Sequence, residues 1–188
     1  MKPTSRQGIL AGDRVSLRLL CPSDARHIQR WLSDSDVCQW LARRQKMTKV
    51  EAVSWVNRLS KSKTDIGFGI VPANTNDIIG ITALYDIDLH HGTARTGTII
   101  GEKKLWKRGY ATAAKNVALE FAFNRLKLHV VEARILHDDK AARALLRKTG
   151  YRVAGRFPKW YRRSGGGRSD MVTFYLTKDR WQSRRTRT

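Results

Sequence analysis

The sequence predicts one α/β domain. Strand-like apolar runs at 14–20, 67–71, 78–85, 94–100, 130–136, 151–157 and 171–176 interleave with stretches whose apolar residues recur at helical spacing. The helical stretches open on cap residues, and the strands are parted by short clusters of Gly, Asn, Asp and His. At 188 residues, 41% of them hydrophobic, the chain is long enough to bury one core, and it shows no repeat or internal linker. Residues 1–12 read as a flexible polar N-terminus, 13–181 as the domain and 182–188 as a basic tail.

Each element has a local reason. Arg14-Val15-Ser16-Leu17-Arg18-Leu19-Leu20 alternates as a half-buried strand does. Ser23 or Asp24, after Pro22, caps a helix carrying Ala25, Ile28 and Trp31. Residues 33–36 form a turn and 43–46 a basic loop. Thr48-Lys49-Val50-Glu51 is a capping box ahead of a helix that buries Ala52, Trp55, Val56 and Leu59. The strands at 67–71 and 78–85 flank the turn 74–77 as a hairpin, and His90-His91-Gly92 turns the chain into a third strand. In the helix that runs to Leu126, Ala114, Val117, Ala118 and Phe121 share one face, with Asn116, Glu120 and Asn124 opposite. His137-Asp138-Asp139 closes the strand at 130–136 and caps a short helix with Leu145 and Leu146 in its stripe; Gly150 ends it. No helix follows the glycines at 165–167, so they read as a hairpin connection rather than a phosphate loop.

Composition narrows the class. No run approaches transmembrane length, and Met1-Lys2 is followed by polar residues rather than an apolar leader core. Cys21 and Cys38 are too few for a disulfide scaffold, and with His27 they match no zinc spacing. We read them as reduced thiols of a cytoplasmic protein without a metal. The formal net charge is +21, and it is unevenly spread. Residues 140–188 carry fifteen Lys/Arg against Asp170 and Asp179, whereas 65–102 carry five carboxylates against Arg95. Such a field suits a polyanion, either RNA, a ribosome or the phosphates of a coenzyme, and equally a solvated basic surface.

One stretch organises the rest. After the strand ending at Ile100-Gly101, the segment Leu105-Trp106-Lys107-Arg108-Gly109-Tyr110-Ala111-Thr112 opens a helix. Free N–H groups and the helix dipole favour an anion there, and Gly109 lets a ligand approach the backbone closely. It is neither a Walker loop nor a G-x-G-x-x-G fingerprint.

The order of elements, with three motifs, resembles the GNAT acetyltransferases, specifically the RimJ/RimL-like branch that acetylates N-termini of ribosomal proteins. Residues 100–114 resemble that branch's acetyl-CoA motif, including Trp106 three positions before the glycine. Leu145-Leu146-Arg147-Lys148-Thr149-Gly150-Tyr151 resembles its L-L-x-K-x-G-[FY], and Gly167-Arg168-Ser169-Asp170-Met171-Val172 with Trp181 its closing pattern. The resemblance spans about Asp13 to Trp181. It implies a mixed, mostly antiparallel twisted sheet with a splayed central strand pair and flanking helices. It also implies an acetyl-CoA co-substrate. Lys107, Arg108, Gly109, Tyr110, Ala111 and Thr112 would hold the pyrophosphate by their amides, Trp106 packing the turn. Thr98, Ile99 and Ile100 would pair with the pantetheine arm as an added strand does. Lys107, Arg108, Arg143 or Lys148 would meet the 3′-phosphate, and Asp139 would lie near the arm.

The catalytic pattern departs from the branch. Ala94-Arg95-Thr96-Gly97 replaces A-E-x-G, Asp139-Lys140-Ala141-Ala142 replaces N-x-x-S, and the acid Tyr of other GNAT proteins falls at Leu146. Substitutes for the proton route are Asp139, His137 and Asp88; in the fold that the resemblance implies, Asp86, Asp88 and His90 lie at the edge where acceptors bind, and Tyr110 and Tyr151 carry hydroxyls. Each has a structural alternative: Asp139 as a helix cap, His137 as a strand end, Asp88 and His90 as turn formers. The expected activity is transfer of acetyl to a primary amine by direct attack in a ternary complex. The expected acceptor is a protein N-terminus, the enzyme monomeric or homodimeric, with RNA or ribosome contact through its basic surface. Acetylation of a small amine, of aminoglycoside or polyamine type, is the alternative enzyme. A weakly catalytic RNA-binding module is the other class.

Overall fold

A computed structural model describes residues 10–41, 46–163 and 166–186. The elements are β1 (Leu10–Ala11), β2 (Val15–Leu19), α1 (Ala25–Trp31), α2 (Ser35–Cys38), α3 (Lys49–Lys61), β3 (Ile66–Pro72), β4 (Gly80–Asp88) and β5 (Thr93–Ile100). Then follow α4 (Tyr110–Glu120), β6 (Val130–Leu136), α5 (Lys140–Lys148), β7 (Arg152–Arg162), β8 (Arg168–Thr177) and α6 (Lys178–Arg185). One eight-stranded sheet runs β1-β2-β3-β4-β5-β6-β8-β7. Every pairing is antiparallel except β5 with β6.

That exception positions the site. The parallel pairing covers only Thr93↔Val130, Ala94↔Val131 and Arg95↔Glu132. Beyond it the two strands part, while β5 stays zipped to β4 out to Gly80↔Ile100 and β6 to β8 out to Leu136↔Met171. The sheet is therefore split at its centre, closed at the N-terminal ends of β5 and β6 and open at their C-terminal ends.

Helices cover both faces. Ile28, Trp31, Val56 and Leu59 from α1 and α3 pack with Ile81 of β4 in one cluster. Ala118 and Leu119 of α4, the following π turn with Phe121 and Phe123, and Leu146 of α5 pack with Phe68, Val131, Phe174 and Leu176 in the other. β3 is buried at all seven positions, so its sequence is apolar or glycine throughout rather than alternating. The capping box of α3 forms as read, with Glu51 N–H donating to Thr48 Oγ1 at 3.2 Å and Thr48 N–H to Glu51 Oε2 at 2.7 Å. Gly150 stops α5 at φ +99°.

Four readings change. Asp24 does not cap α1; its carboxylate takes two 2.7 Å bonds from Arg18 and one of 2.9 Å from the Cys21 amide. Leu10 and Ala11, expected to be loose, pair with β2, and residues 1–9 lie outside the described ones. Most of the basic loop and part of the triple-glycine turn (42–45 and 164–165) also lie outside them. The final hairpin is longer than read, spanning 152–162 and 168–177. The expected basic tail is a helix as far as Arg185: Thr177 caps α6, and its Trp181 is buried 5.2 Å from Phe123. Among the described residues no helix is long and apolar enough to cross a membrane, and no group of three His, Cys, Asp or Glu is placed to hold a metal.

Candidate active site

The open end of the split leads directly into the start of α4. Gly109 occupies the N-cap position at φ +84°, a conformation that favours glycine, and offers no side chain to cap the helix. The amides of Tyr110, Ala111 and Thr112, which a helix leaves without internal partners, are thus left for a ligand. Lys107 (φ +59°) and Arg108 stand beside them, exposed and without an acidic partner among the described residues. A Cβ on Gly109 would come within 2.9 Å of Arg14 Nη1. Arg14 braces the loop from beneath, donating to Arg108 O at 2.9 Å with its guanidinium 5.4 Å from the Tyr110 ring centre. Sequence reasoning missed Arg14, because 94 residues separate it from its partner. A diphosphate fits this loop: backbone donors, flanking cations and a position where a side chain would intrude.

β5 forms one wall of the split. Gly97 O accepts from Thr82 of β4 at 3.0 Å, and Gly101 N–H donates to Ile79 O at 2.9 Å. Because alternate residues of a strand bond to alternate sides, these contacts assign Ile99 to β4 and leave Thr98 and Ile100 facing the gap. Trp106 donates from Nε1 to Ile100 O at 2.8 Å and keeps its ring partly exposed, so it fastens the turn to the strand end.

The candidate catalytic residues lie at opposite ends. Asp139 and His137 flank the open end, just past β6. Asp139 caps α5, accepting from Ala142 N–H at 2.9 Å, and burial raises its carboxyl above the ordinary carboxylate value. Arg143 donates to His137 O at 2.9 Å and lies 3.2 Å from its Nδ1, with its guanidinium over Phe174. Arg143 is therefore turned toward the strand end. Asp88 sits beyond the closed end of the split, where it accepts from His90 and His91 amides at 2.9 and 2.8 Å; these hydrogen bonds, the His91 one foremost, lower its pKa. It serves the turn there. Leu146, where an acid tyrosine was sought, is 2% exposed in the core. Arg95 makes a 2.9 Å ion pair with Asp86 and lies over the Tyr85 ring.

Two further features were not read from the sequence. A groove of 660 Å³ runs along the outer stripe of α4, sharing Gly109 and Thr112 with the loop and lined also by Arg14, Glu120, Lys148 and Arg184. At the closed end of the split, Lys115, Thr96 and Tyr151 form a buried polar cluster.

Comparison with known proteins gives the family. The model of the acetyltransferase (GNAT) domain matches residues 14–152, and the chain belongs to that family. It is 27% identical over 151 residues to the uncharacterized N-acetyltransferase YoaA of Bacillus subtilis, covering 78% of this chain and 84% of YoaA. It is 25% identical over 170 residues to the uncharacterized N-acetyltransferase p20 of Bacillus licheniformis, covering 88% and 94%. Among solved structures, spermidine N-acetyltransferase from Vibrio cholerae in complex with CoA and spermine superposes with a TM-score of 0.83 at 20% identity, over 91% of this chain and 99% of that one. A candidate ribosomal-protein-serine acetyltransferase from Vibrio cholerae gives 0.72 at 19%, over 93% and 99%. The protein is a GNAT-type acetyltransferase, and its family uses acetyl-CoA.

Proposed function

We propose that this acetyltransferase acts in the cytoplasm on a protein N-terminal amine, as a RimJ/RimL-like enzyme. The amine attacks the acetyl thioester directly in a ternary complex: the Cys21 thiol is engaged by Ser23 and Asp24 and the Cys38 thiol by Trp31 O at 3.6 Å, so neither is given a covalent step. Acetyl-CoA supplies the activated acyl group and a good thiolate leaving group. The chain supplies proximity: the amides of α4 and the edge of β5 hold the coenzyme in one line, and alignment carries most of the rate. The Asp139 carboxyl, raised by burial beside the open end, is the assigned proton carrier, with His137 as the alternative.

The acceptor reading rests chiefly on how two solvent-accessible carboxylates of the central strands, Asp86 of β4 and Glu132 of β6, are used. Asp86 is paired with Arg95 and Glu132 with Arg134, each at 2.9 Å, so neither is free to draw in a polycation. The side-chain cations of Arg152, Lys159 and Arg162 of β7 make no salt bridge among the described residues, and a field of that sign suits an RNA-rich neighbourhood such as the ribosome. The likeness to the spermidine enzyme supports a second reading, a small polyamine acceptor.

A screen of CoA-thiol release distinguishes them. Peptides with free seryl or alanyl N-termini are expected to outpace spermidine and kanamycin by about tenfold in kcat/KM, equivalent to about 1.4 kcal/mol of transition-state preference. Preference for spermidine or kanamycin overturns the N-terminal assignment. Release with none of them overturns catalysis and leaves a binding module.

A further inference from the structure

Lys115 is the one buried lysine among the described residues, 1% exposed, on the sheet-facing side of α4. Its ammonium nitrogen has one hydrogen-bond partner, Thr96 Oγ1 at 3.1 Å. Thr96 is the first residue of β5 past the last β5–β6 pair, Arg95↔Glu132. Its hydroxyl donates across the gap to Glu132 O at 3.1 Å, and it also lies 2.9 Å from the buried Tyr151 hydroxyl. A side-chain hydrogen bond thus replaces the next rung of the ladder at the point where the strands separate. Thr96 donates to Glu132 and accepts from Lys115 and Tyr151, which makes one consistent set of donors and acceptors.

A lysine in that place is costly, because its head group is removed from water and meets a single acceptor. Packing does not require it, since an unbranched apolar chain would occupy similar space. A costly polar residue retained beside a site is where strain or polarity serves the reaction. An acetyl-CoA arm held at the Gly109 end and along Thr98 and Ile100 would direct its acyl end toward Thr96, the first residue past the last β5–β6 pair.

We propose that Lys115 is a positioning residue for acyl transfer: acting through Thr96, it fixes the closed end of the split against which the acetyl thioester comes to rest. The proposal rests on the acetyl-CoA slot described above. Lys115 touches no reacting atom; it sets the width and rigidity of the end wall. The titratable group that faces it is Tyr151, whose ring centre is 5.9 Å from the ammonium, and whose own pKa is raised by burial. Burial alone pushes the Lys115 pKa down to about 7. Unfolded, it titrates near the ordinary lysine value. The folded state therefore gains stability as pH rises from about 7 toward 10, where only the unfolded chain still holds the proton.

The test uses Lys115→Met and Thr96→Val, with Thr96→Ser as the conservative control. Acetyl-CoA carrying ¹³C at the acetyl carbonyl reports the position of the thioester by NMR in the saturated complex. Calorimetry gives coenzyme affinity, and thiol release with the best amine of the panel gives turnover. We expect affinity within about threefold of wild type, a displaced carbonyl resonance, and turnover lower by about tenfold in both variants, since small misplacement of reacting atoms is costly. Thr96→Ser restores both signals. Lys115→Met is expected to melt at a higher temperature at pH 7 and to lose the rise in stability between about pH 7 and 10. Thr96→Val leaves the lysine in place and keeps the test open should the first variant fold poorly. Wild-type resonance and turnover in both variants overturn the proposal alone. A wild-type protein that binds no acetyl-CoA overturns the slot and the proposal together.

Discussion

Gly109→Glu abolishes measurable coenzyme binding, with affinity expected to fall by at least about 100-fold, or about 2.7 kcal/mol. Three effects add. The φ of +84° is strained for any residue with a Cβ. The new side chain starts 2.9 Å from Arg14 Nη1 and displaces the brace under Arg108. Its carboxylate sits where a diphosphate would be held and competes for the amides of Tyr110 to Thr112. A carboxylate at a helix start favours the helix itself, so the variant is expected to remain folded. Gly109→Ala separates bulk from charge: the arginine end can shift, and a loss nearer tenfold is expected. Calorimetry with CoA, alongside circular dichroism, reads both. Unchanged affinity in Gly109→Glu would refute the cradle.

Trp181→Ala carries the largest expected effect on stability, about 3–5 kcal/mol by urea unfolding. Its ring is 7% exposed, meets Phe123 at 5.2 Å and lies under the Arg185 guanidinium at 4.8 Å. It also anchors α6, which holds the end of α5 through Arg180 Nε to Gly150 O at 2.8 Å and Arg184 to Lys148 O at 3.2 Å. A loss below about 1 kcal/mol would mean that α6 is a surface appendage rather than part of the core.

Local chemistry made most of the fold legible. The capping box at Thr48–Glu51, the αL glycine at 150 and the shift from helical to strand period are signals carried within a few residues, and the elements they mark formed where expected. α6 was missed because Lys178–Arg185 offers one apolar residue, Trp181, to a core it reaches only in three dimensions. Arg14 was missed for the same reason, since its acceptor lies across the sheet. Lys115 is more instructive. Ala111, Ala118, Leu119 and Ala122 surround it on the helix wheel, so an apolar ring around one charge was visible in the sequence. Its partner, Thr96, becomes evident only when the split between β5 and β6 is seen.

The loop before α4 was legible as a strand–glycine–helix start, and its resemblance to acetyl-CoA motifs is what gives it its proposed role. The catalytic residues were not legible. Asp88 and Asp139 stand near the site in sequence order, yet the fold separates them to the closed and open ends of one strand pair. Of these candidates Asp139 remains beside the proposed path of the arm.

The central claim is that the coenzyme lies in the split and against the first turn of α4. Residue-resolved amide hydrogen exchange, with and without saturating acetyl-CoA, tests it most directly. The account predicts slowed exchange at Thr98, Ile100 and Tyr110 to Thr112, with little change at Lys148 and Arg184. Unchanged exchange at those positions, with protection appearing instead along the groove formed by Lys148, Arg184 and the outer stripe of α4, would contradict it.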